Sequence, residues 1–216
     1  MQKLSTPAVV FALMLSFGPP SVPAAEAGPP TDQLRNGIER IFEILGDPDM
    51  SGDEKVAQRK IAVTRIAGEI FDFGEMSKRT LGRHWELRTP AERKDFARLF
   101  TELIQRTYFS RIDEHGSEKT VFRGETIDGQ HAVVRTMLLL GHGAQMPLDY
   151  SMLNASDRWR VYDLSIDGIS LIANYRTQFN RVIRSSSYAD LVIRLKSHQA
   201  EFSAPSASPS GPKAAQ

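Results

Sequence analysis

The chain has 216 residues, of which 41% are hydrophobic and 25% charged, a balance typical of one globular domain with a sizeable core. Its formal net charge is +1, from 27 basic and 26 acidic residues, and no basic run stands out, which argues against a nucleic-acid partner. Cysteine is absent, and this excludes disulfides, thiolate metal sites and a cysteine nucleophile.

The N-terminal stretch has the features of a secretory signal peptide. Lys3 gives a short positive region, residues 8–17 are apolar, and Ala25-Glu26-Ala27 is a small-residue cleavage signal. An apolar run of about ten residues is too short to span a membrane as a helix. We therefore expect residues 1–27 to be removed, although Val22-Pro23-Ala24 offers a second cleavage site, and the mature protein to be exported and soluble.

Helix signals precede and follow a central stretch of strands. Residues that can cap a helix N-terminus occur at six places: Thr31 or Asp32, Ser51, Asp72, Thr89, Ser170 and Ser187. Glu54 and Glu92 complete capping boxes with Ser51 and Thr89. The helix that starts after Thr89 is expected to run to about Glu114.

Four alternating apolar and polar segments lie at residues 120–127, 131–140, 144–153 and 158–166. The short turns between them, such as Asp128-Gly129, predict an antiparallel four-stranded meander. In the third strand one face carries the following side chains: Met146, Leu148, Tyr150 and Met152. In the fourth strand, strict alternation places Leu164 on the face opposite Val161.

The expected fold class is α+β, with a curled four-stranded antiparallel meander covered by a layer of helices. The second strand is apolar on both faces around Val133, Val134 and residues 137–140, which suits a sheet curled around its own interior. The apolar faces are compatible with an ordinary core or with a cavity for a hydrophobic ligand, and composition alone does not decide between them.

Catalytic and metal-binding motifs are absent from the sequence. The five histidines lack the i, i+4 spacing of a helical zinc site, and no G-x-S-x-G turn or glycine-rich phosphate loop is present. Asp149, Asp163 and Asp167 are the carboxylates that an enzyme would use, but a solvent-facing position, a strand end and a turn favour structural roles.

Several motifs, in order along residues 32–200, resemble the MlaC family, also called toluene-tolerance auxiliary proteins. They are Phe71-Asp72-Phe73, Leu81-Gly82-Arg83-His84-Trp85, Thr89-Pro90-Ala91-Glu92-Arg93, Arg106-Thr107-Tyr108, Val133-Val134-Arg135-Thr136, Pro147-Leu148-Asp149-Tyr150, Trp159-Arg160-Val161-Tyr162-Asp163, Asp167-Gly168-Ile169-Ser170-Leu171 and Asn174-Tyr175-Arg176-Thr177-Gln178-Phe179.

The resemblance implies a periplasmic phospholipid carrier with no cofactor and no catalytic residue. Members of the family bind acyl chains in a cavity between a twisted sheet and a helical layer. They exchange lipid with an inner-membrane ABC transporter complex and an outer-membrane lipoprotein–porin complex, which maintains the lipid asymmetry of the outer membrane. A sister branch is associated with hopanoid transport. The alternatives are an isomerase or hydratase on a cone-shaped α+β fold, and a scaffold that binds only proteins.

We accordingly expect a lipid-binding domain at residues 28–202 and a disordered tail, rich in Ser, Pro and Ala, at residues 203–216. The strand faces and helix periodicity, taken with the resemblance, predict ten residues that line the lipid cavity: Leu103, Ile104, Met137, Leu139, Met146, Leu148, Tyr150, Val161, Ile172 and Tyr175.

Overall fold

The computed structural model describes residues 28–50, 52–109, 119–140, 143–197 and 202. The expected signal peptide at residues 1–27 and the expected tail at residues 203–216 lie outside these residues. Ser51, from the second predicted capping box, and residues 110–114, from the end of the predicted long helix, also lie outside them.

The described residues form six α-helices and one five-stranded sheet. The helices are α1 (Pro29–Gly46), α2 (Val56–Ile70), α3 (Phe73–Leu81), α4 (Pro90–Ile104), α5 (Leu171–Ser185) and α6 (Tyr188–Lys196). The strands are β1 (Lys119–Asp128), β2 (His131–Leu139), β3 (Gln145–Ala155), β4 (Arg158–Ile166) and β5 (Ile169–Ser170). None of the helices in this part of the chain is long and apolar enough to cross a membrane.

The sheet is an antiparallel meander in the order β1-β2-β3-β4-β5, so the α+β fold class and the four predicted strands are confirmed. The fifth strand was not predicted. It contains only Ile169 and Ser170, which pair with Ile166 and Ser165 of β4. Two residues are too few to produce a recognisable alternation, so this strand could not be predicted from periodicity.

A bulge in β4 changes which of its side chains face the helices. Ser151 pairs with Asp163 and Met152 pairs with Val161, so that Tyr162 has no partner on β3. One extra residue reverses the alternation beyond it. Val161 and Leu164 therefore both pack against the same buried cluster, and the prediction that they lie on opposite faces was wrong.

Most of the predicted helix starts are confirmed by side-chain caps. Asp72, Thr89, Ser170 and Ser187 each accept a hydrogen bond from the backbone N–H three residues later. Three helix boundaries were wrong. Helix α1 begins at Pro29, with Gly28 at the N-cap position and no side-chain cap, ahead of the predicted Thr31 or Asp32. After a short 3₁₀ turn, α2 begins at Val56 with no side-chain cap. The α-helical part of α4 ends at Ile104, and a π-helical turn, Gln105–Phe109, follows it.

Helix α1 is fixed to two strands of the sheet by hydrogen bonds at its N-terminus. The Thr31 backbone N–H and hydroxyl both donate to the Glu125 carboxylate on β1, at 2.8 and 2.5 Å. The Gln33 side-chain oxygen accepts a hydrogen bond from the Trp159 backbone N–H on β4, at 2.9 Å. These contacts place α1 across the helix-facing side of the sheet, where Leu34 is almost fully buried.

The buried apolar side chains form two clusters. The sheet cluster lies between α1, α2 and the helix-facing side of the sheet: Leu34, Ile66, Ile70, Ala132, Val134, Leu148, Tyr150, Met152, Trp159, Val161 and Ile166. The helical cluster joins α3, α4, α5 and α6 with Phe202: Met76, Leu81, Phe96, Leu99, Phe100, Leu103, Ile104, Leu171, Ile172, Tyr175, Phe179, Val182, Leu191, Leu195 and Phe202.

Candidate functional site

The candidate site is the boundary between these two clusters, which we call the seam. Three side chains pack against both clusters: Phe71, Tyr108 and Leu164. All three are only half-buried, whereas the members of each cluster are almost fully buried. Half-buried apolar side chains at a contact between two dry clusters mark an apolar surface that the protein leaves partly uncovered.

Phe71 is held at the seam because the junction of α2 and α3 is bonded to β4. Phe71 forms a parallel bridge with Val161, and the Asp72 backbone N–H donates to the Val161 carbonyl oxygen at 2.8 Å. From β4, the Arg160 guanidinium donates to the Phe71 carbonyl oxygen at 2.6 Å. The Phe71 ring also stacks on the Phe73 ring, with a centroid distance of 5.9 Å.

Tyr108 reaches the seam from the π-helical turn that follows α4. In this turn the Thr107 hydroxyl donates to the Leu103 carbonyl oxygen at 2.8 Å, which supports the widened backbone. Single π-helical turns are rare and are frequent at functional sites, because they redirect the side chains that follow a regular helix. The Tyr108 ring contacts both clusters as a result.

The sheet cluster has a half-buried apolar margin in addition to the seam. Phe122, Leu138 and Met146 supply it from three neighbouring strands, and Ile38, Ile41 and Ile44 supply it from α1. Leu138 pairs with Met146, and Phe122 pairs with Thr136 in the adjacent position. The apolar surface therefore continues from the seam towards one end of the sheet.

Three tyrosine side chains near the seam, Tyr108, Tyr150 and Tyr175, are largely removed from water. Burial raises the pKa of Tyr150 to about 12. Burial also raises the pKa of Tyr175, and burial together with the neighbouring Tyr175 raises the pKa of Tyr108. A phenol that is removed from water ionises less readily because the anion loses its hydration. These hydroxyl groups are therefore neutral hydrogen-bond donors throughout the physiological pH range.

The carboxylates that an enzyme would use do not meet at the seam. Asp149 lies on the outer face of β3, where it pairs with Arg135 of β2. Asp163 accepts hydrogen bonds from the Ser170 hydroxyl at 2.5 Å and the Ile172 backbone N–H at 3.1 Å, and so anchors the start of α5. Asp167 occupies the turn before β5 with φ of 49°.

Four carboxylates elsewhere on the described surface have lowered pKa values. Hydrogen bonding lowers the pKa of each of them: Glu69 with Arg40, Glu92 with Thr89, Asp95 with Arg98, and Asp190 with Ser186. A general acid at neutral pH would need the opposite shift. Within the same residues, no three acidic or histidine side chains come together as a metal site would require.

A pocket of about 450 Å³ lies away from the seam, between α1, the end of α2 and the β3–β4 turn. Its lining mixes apolar residues such as Met152 with the charged residues Asp32, Arg40 and Asp157. The Arg40 guanidinium also forms an ion pair with Glu69 at 2.7 Å in this pocket. Exposed charges of this kind do not suit an acyl chain, so the pocket is not the candidate lipid site.

The structure divides the ten predicted lining residues into three groups. Leu103, Ile104, Ile172 and Tyr175 belong to the helical cluster. Met146, Leu148, Tyr150 and Val161 belong to the sheet cluster or pack against it. Met137 and Leu139 alternate along β2 with Val134, Thr136 and Leu138, which face the helices, so these two side chains project from the opposite face.

The three seam residues were absent from the predicted lining set. Phe71 and Tyr108 lie in motifs that carried the resemblance. Those motifs do not indicate that the two side chains remain half-buried where one helix or turn meets the next. Leu164 is part of the β4 pattern, but the unpredicted bulge at Tyr162 concealed that it shares a face with Val161. A comparison of the apolar patterns of β3 and β4 could have indicated a bulge, and with it that Leu164 shares a face with Val161.

The fold and the site together define an α+β protein in which a meander and a helical bundle meet along an apolar seam. A solved structure shares this fold: the phospholipid-binding protein from Ralstonia solanacearum, in complex with a phospholipid, superposes with a TM-score of 0.70. The match covers 81% of this chain and 99% of that chain, at 24% sequence identity.

The family model described as MlaC protein matches residues 35–197, and the chain belongs to the MlaC family. The resemblance found in the sequence motifs is thereby confirmed. The toluene tolerance protein ttg2D of Pseudomonas putida is 25% identical over 142 residues. That alignment covers 63% of this chain and 66% of the relative, so the chain spans just under two thirds of the relative's length.

Proposed function

We propose that this protein is a phospholipid carrier that holds acyl chains along the seam between the sheet cluster and the helical cluster. The observation that carries the proposal is the set of three half-buried side chains, Phe71, Tyr108 and Leu164, that contact both clusters. A ligand that enters between them meets apolar surface on both sides. The domain concerned comprises residues 28–202, with the tail at residues 203–216 outside it.

A relative of the same fold supports a lipid as the ligand. The Ralstonia solanacearum protein of the same fold is described as phospholipid-binding and was solved in complex with a phospholipid. The chain also belongs to the MlaC family, and it aligns with a toluene tolerance protein. We propose the same kind of ligand, a phospholipid, for the seam of this chain.

The energetics of lipid transfer explain why a carrier would have such a site. Two acyl chains contain roughly 30 methylenes, and at about 0.8 kcal/mol each their exposure to water would cost about 24 kcal/mol. A carrier has only to offer surface as dry as the bilayer interior. Leu148, Val161 and Ile172 supply such surface on either side of the seam.

The proposal includes the place and the partners of the carrier. The signal peptide expected at residues 1–27 would deliver the protein to the periplasm. There it would exchange phospholipid with an inner-membrane ABC transporter complex and an outer-membrane lipoprotein–porin complex, and so help to maintain outer-membrane asymmetry. These partners are the ones that the resemblance to the MlaC family implies.

The enzyme alternative has less support than the carrier. It needs a carboxylate with a raised pKa in contact with an apolar substrate. Asp163 is instead occupied as the anchor of α5, and Asp149 faces away from the helices. A hopanoid-associated carrier of the same family is the other alternative, and it would need the same kind of apolar site.

A vesicle transfer assay tests the proposal. Donor vesicles carry a fluorescent phospholipid, and acceptor vesicles are separated from them after incubation with mature protein. We expect transfer to rise in proportion to protein concentration, because each molecule carries its ligand through water without exposing the acyl chains. Transfer should be several times faster than spontaneous desorption.

The matched control is an equal concentration of the Leu164→Trp variant, whose added ring occupies the seam. The variant should transfer little phospholipid while it remains folded. Equal transfer by the wild type and by buffer alone, with folded protein present, would contradict the carrier function.

A further inference from the structure

Two tyrosine hydroxyl groups beside the seam are buried without a well-aligned hydrogen bond. Tyr175 on α5 is 0% exposed, and the Tyr108 ring packs against both clusters. Neither hydroxyl oxygen reaches solvent, and neither makes a well-aligned hydrogen bond with the residues that the structure describes; the polar groups beside them are each other and, for Tyr175, the Thr107 hydroxyl. Buried polar groups in native proteins almost always form hydrogen bonds. Two buried hydroxyl groups without a well-aligned hydrogen bond at a candidate binding site therefore indicate a functional role.

The two hydroxyl groups are close neighbours in a rigid setting. The proximity of Tyr175 helps to raise the pKa of Tyr108, and burial raises the pKa of both phenols, which keeps both protons in place. The Tyr175 ring is fixed by Phe100 and Phe179, each with a ring-centroid distance of 5.8 Å. Two neutral donors are thus held side by side among mainly apolar side chains, with the Thr107 hydroxyl and the charge of Arg106 also close to Tyr175.

The chemistry of these donors selects a neutral acceptor. A phosphate would bring a negative charge into the dry seam, where its burial is strongly unfavourable. The ester carbonyl oxygens of a glycerolipid are neutral, accept hydrogen bonds, and lie directly next to the acyl chains. A polycyclic hydrocarbon such as a hopanoid skeleton offers no acceptor in that position and would leave both hydroxyl groups unpaired.

We infer that the Tyr108 and Tyr175 hydroxyl groups donate hydrogen bonds to the ester carbonyl oxygens of a diacyl glycerolipid bound in the seam. The inference rests on the proposed carrier function and adds the class of lipid. The protein would therefore prefer ester-linked diacyl lipids over ether-linked lipids and over polycyclic hydrocarbons, with the preference set at the glycerol linkage rather than at the headgroup.

The test compares two phospholipids that differ only at the glycerol linkage. Vesicles of dioleoyl phosphatidylglycerol and of its dioleyl ether analogue are incubated with delipidated protein, and bound lipid is measured after reisolation. The wild type is expected to take up the ester lipid in preference, since one net hydrogen bond corresponds to about a two- to tenfold change in an equilibrium constant.

The Tyr108→Phe, Tyr175→Phe double variant keeps both rings and removes both hydroxyl groups. It should bind the ether lipid as the wild type does and lose the preference for the ester lipid. Delipidated, it should melt at or above the temperature of the delipidated wild type, because the lost hydroxyl groups make no well-aligned hydrogen bond in the protein. Tyr188→Phe is the matched control, since its hydroxyl donates to the Glu92 carbonyl oxygen at 3.3 Å in the same helical bundle. It should retain the preference.

Each other outcome overturns the inference in a distinct way. Equal uptake of the two lipids by the wild type would show that the linkage is not recognised, while the carrier function would stand. Equal loss of both lipids in the double variant would mean that the hydroxyl groups bind a feature common to both, such as the phosphate, or support the fold. Failure of the wild type to take up either lipid would contradict the carrier function itself.

Discussion

Replacement of Leu164 by tryptophan is expected to lower the phospholipid content of the purified protein severalfold. Leu164 is half-buried and packs against both clusters, so a larger ring at this position extends into the space between them. Overpacking a close-packed core typically costs about 1–3 kcal/mol. At the seam the ring can take the place of the ligand, and the free energy of unfolding of delipidated protein should fall by less than about 1 kcal/mol on the same scale.

Two tryptophan variants serve as controls for this prediction. Leu191, on α6, is 0% exposed inside the helical cluster, and Leu191→Trp should lower stability by about 1–3 kcal/mol or more. Ile61, on α2, is 71% exposed, and Ile61→Trp should change neither stability nor lipid content. All proteins must be stripped of lipid before unfolding, because a bound ligand raises the apparent stability. Unchanged lipid content in Leu164→Trp, with a large loss of stability, would mean that Leu164 belongs to a solid core.

The largest loss of stability is expected for Phe179→Ala. The Phe179 side chain is 0% exposed at the centre of the helical cluster. Its ring lies 5.9 Å from Phe96 and 5.0 Å from Phe202, both in edge-to-face contact. Truncation of a buried phenylalanine removes its apolar surface and leaves a cavity, which typically costs about 3–5 kcal/mol. Urea unfolding of the delipidated variant measures this loss.

Leu87→Ala is the control for truncation, because Leu87 is 69% exposed. A surface substitution of this kind usually changes stability by no more than about 0.5 kcal/mol. A loss below about 1 kcal/mol in Phe179→Ala would show that the helical cluster collapses around the missing ring and is not close-packed.

Much of the fold could be predicted because local signals agree with the tertiary structure. The turn at Asp128-Gly129 separates β1 from β2 and Asp167-Gly168 ends β4, both as expected, and Thr89 caps α4 in a capping box with Glu92. The face of β3 that carries Leu148 and Tyr150 was assigned correctly, because strict alternation holds along that strand. Periodicity is informative wherever an element is regular.

The errors fall where an element is irregular. The bulge at Tyr162 inserts one residue into β4, and no turn residue in the sequence marks it. The π-helical turn at Gln105–Phe109 follows an apolar pattern that a continuous α-helix would share. Met137 and Leu139 illustrate a different limit, because apolar side chains on both faces of β2 hide which face meets the helices.

The seam itself could not be predicted from the sequence. It depends on which side chains of distant elements remain half-buried after packing, and the α2–α3 junction, the end of α4 and β4 each contribute one of them. Resemblance to the family supplied the expectation of a lipid site between sheet and helices. The proposed position of that site within this chain rests on the contacts of Phe71, Tyr108 and Leu164.

Mass spectrometry of organic extracts from purified mature protein tests the central claim most directly. A carrier that acquires lipid during expression should retain it through purification, since release of two acyl chains into water is strongly unfavourable. We predict ester-linked phospholipid at close to one molecule per protein molecule. Protein that is repeatedly free of lipid after purification, and that takes none up from phospholipid vesicles while folded, would contradict the claim.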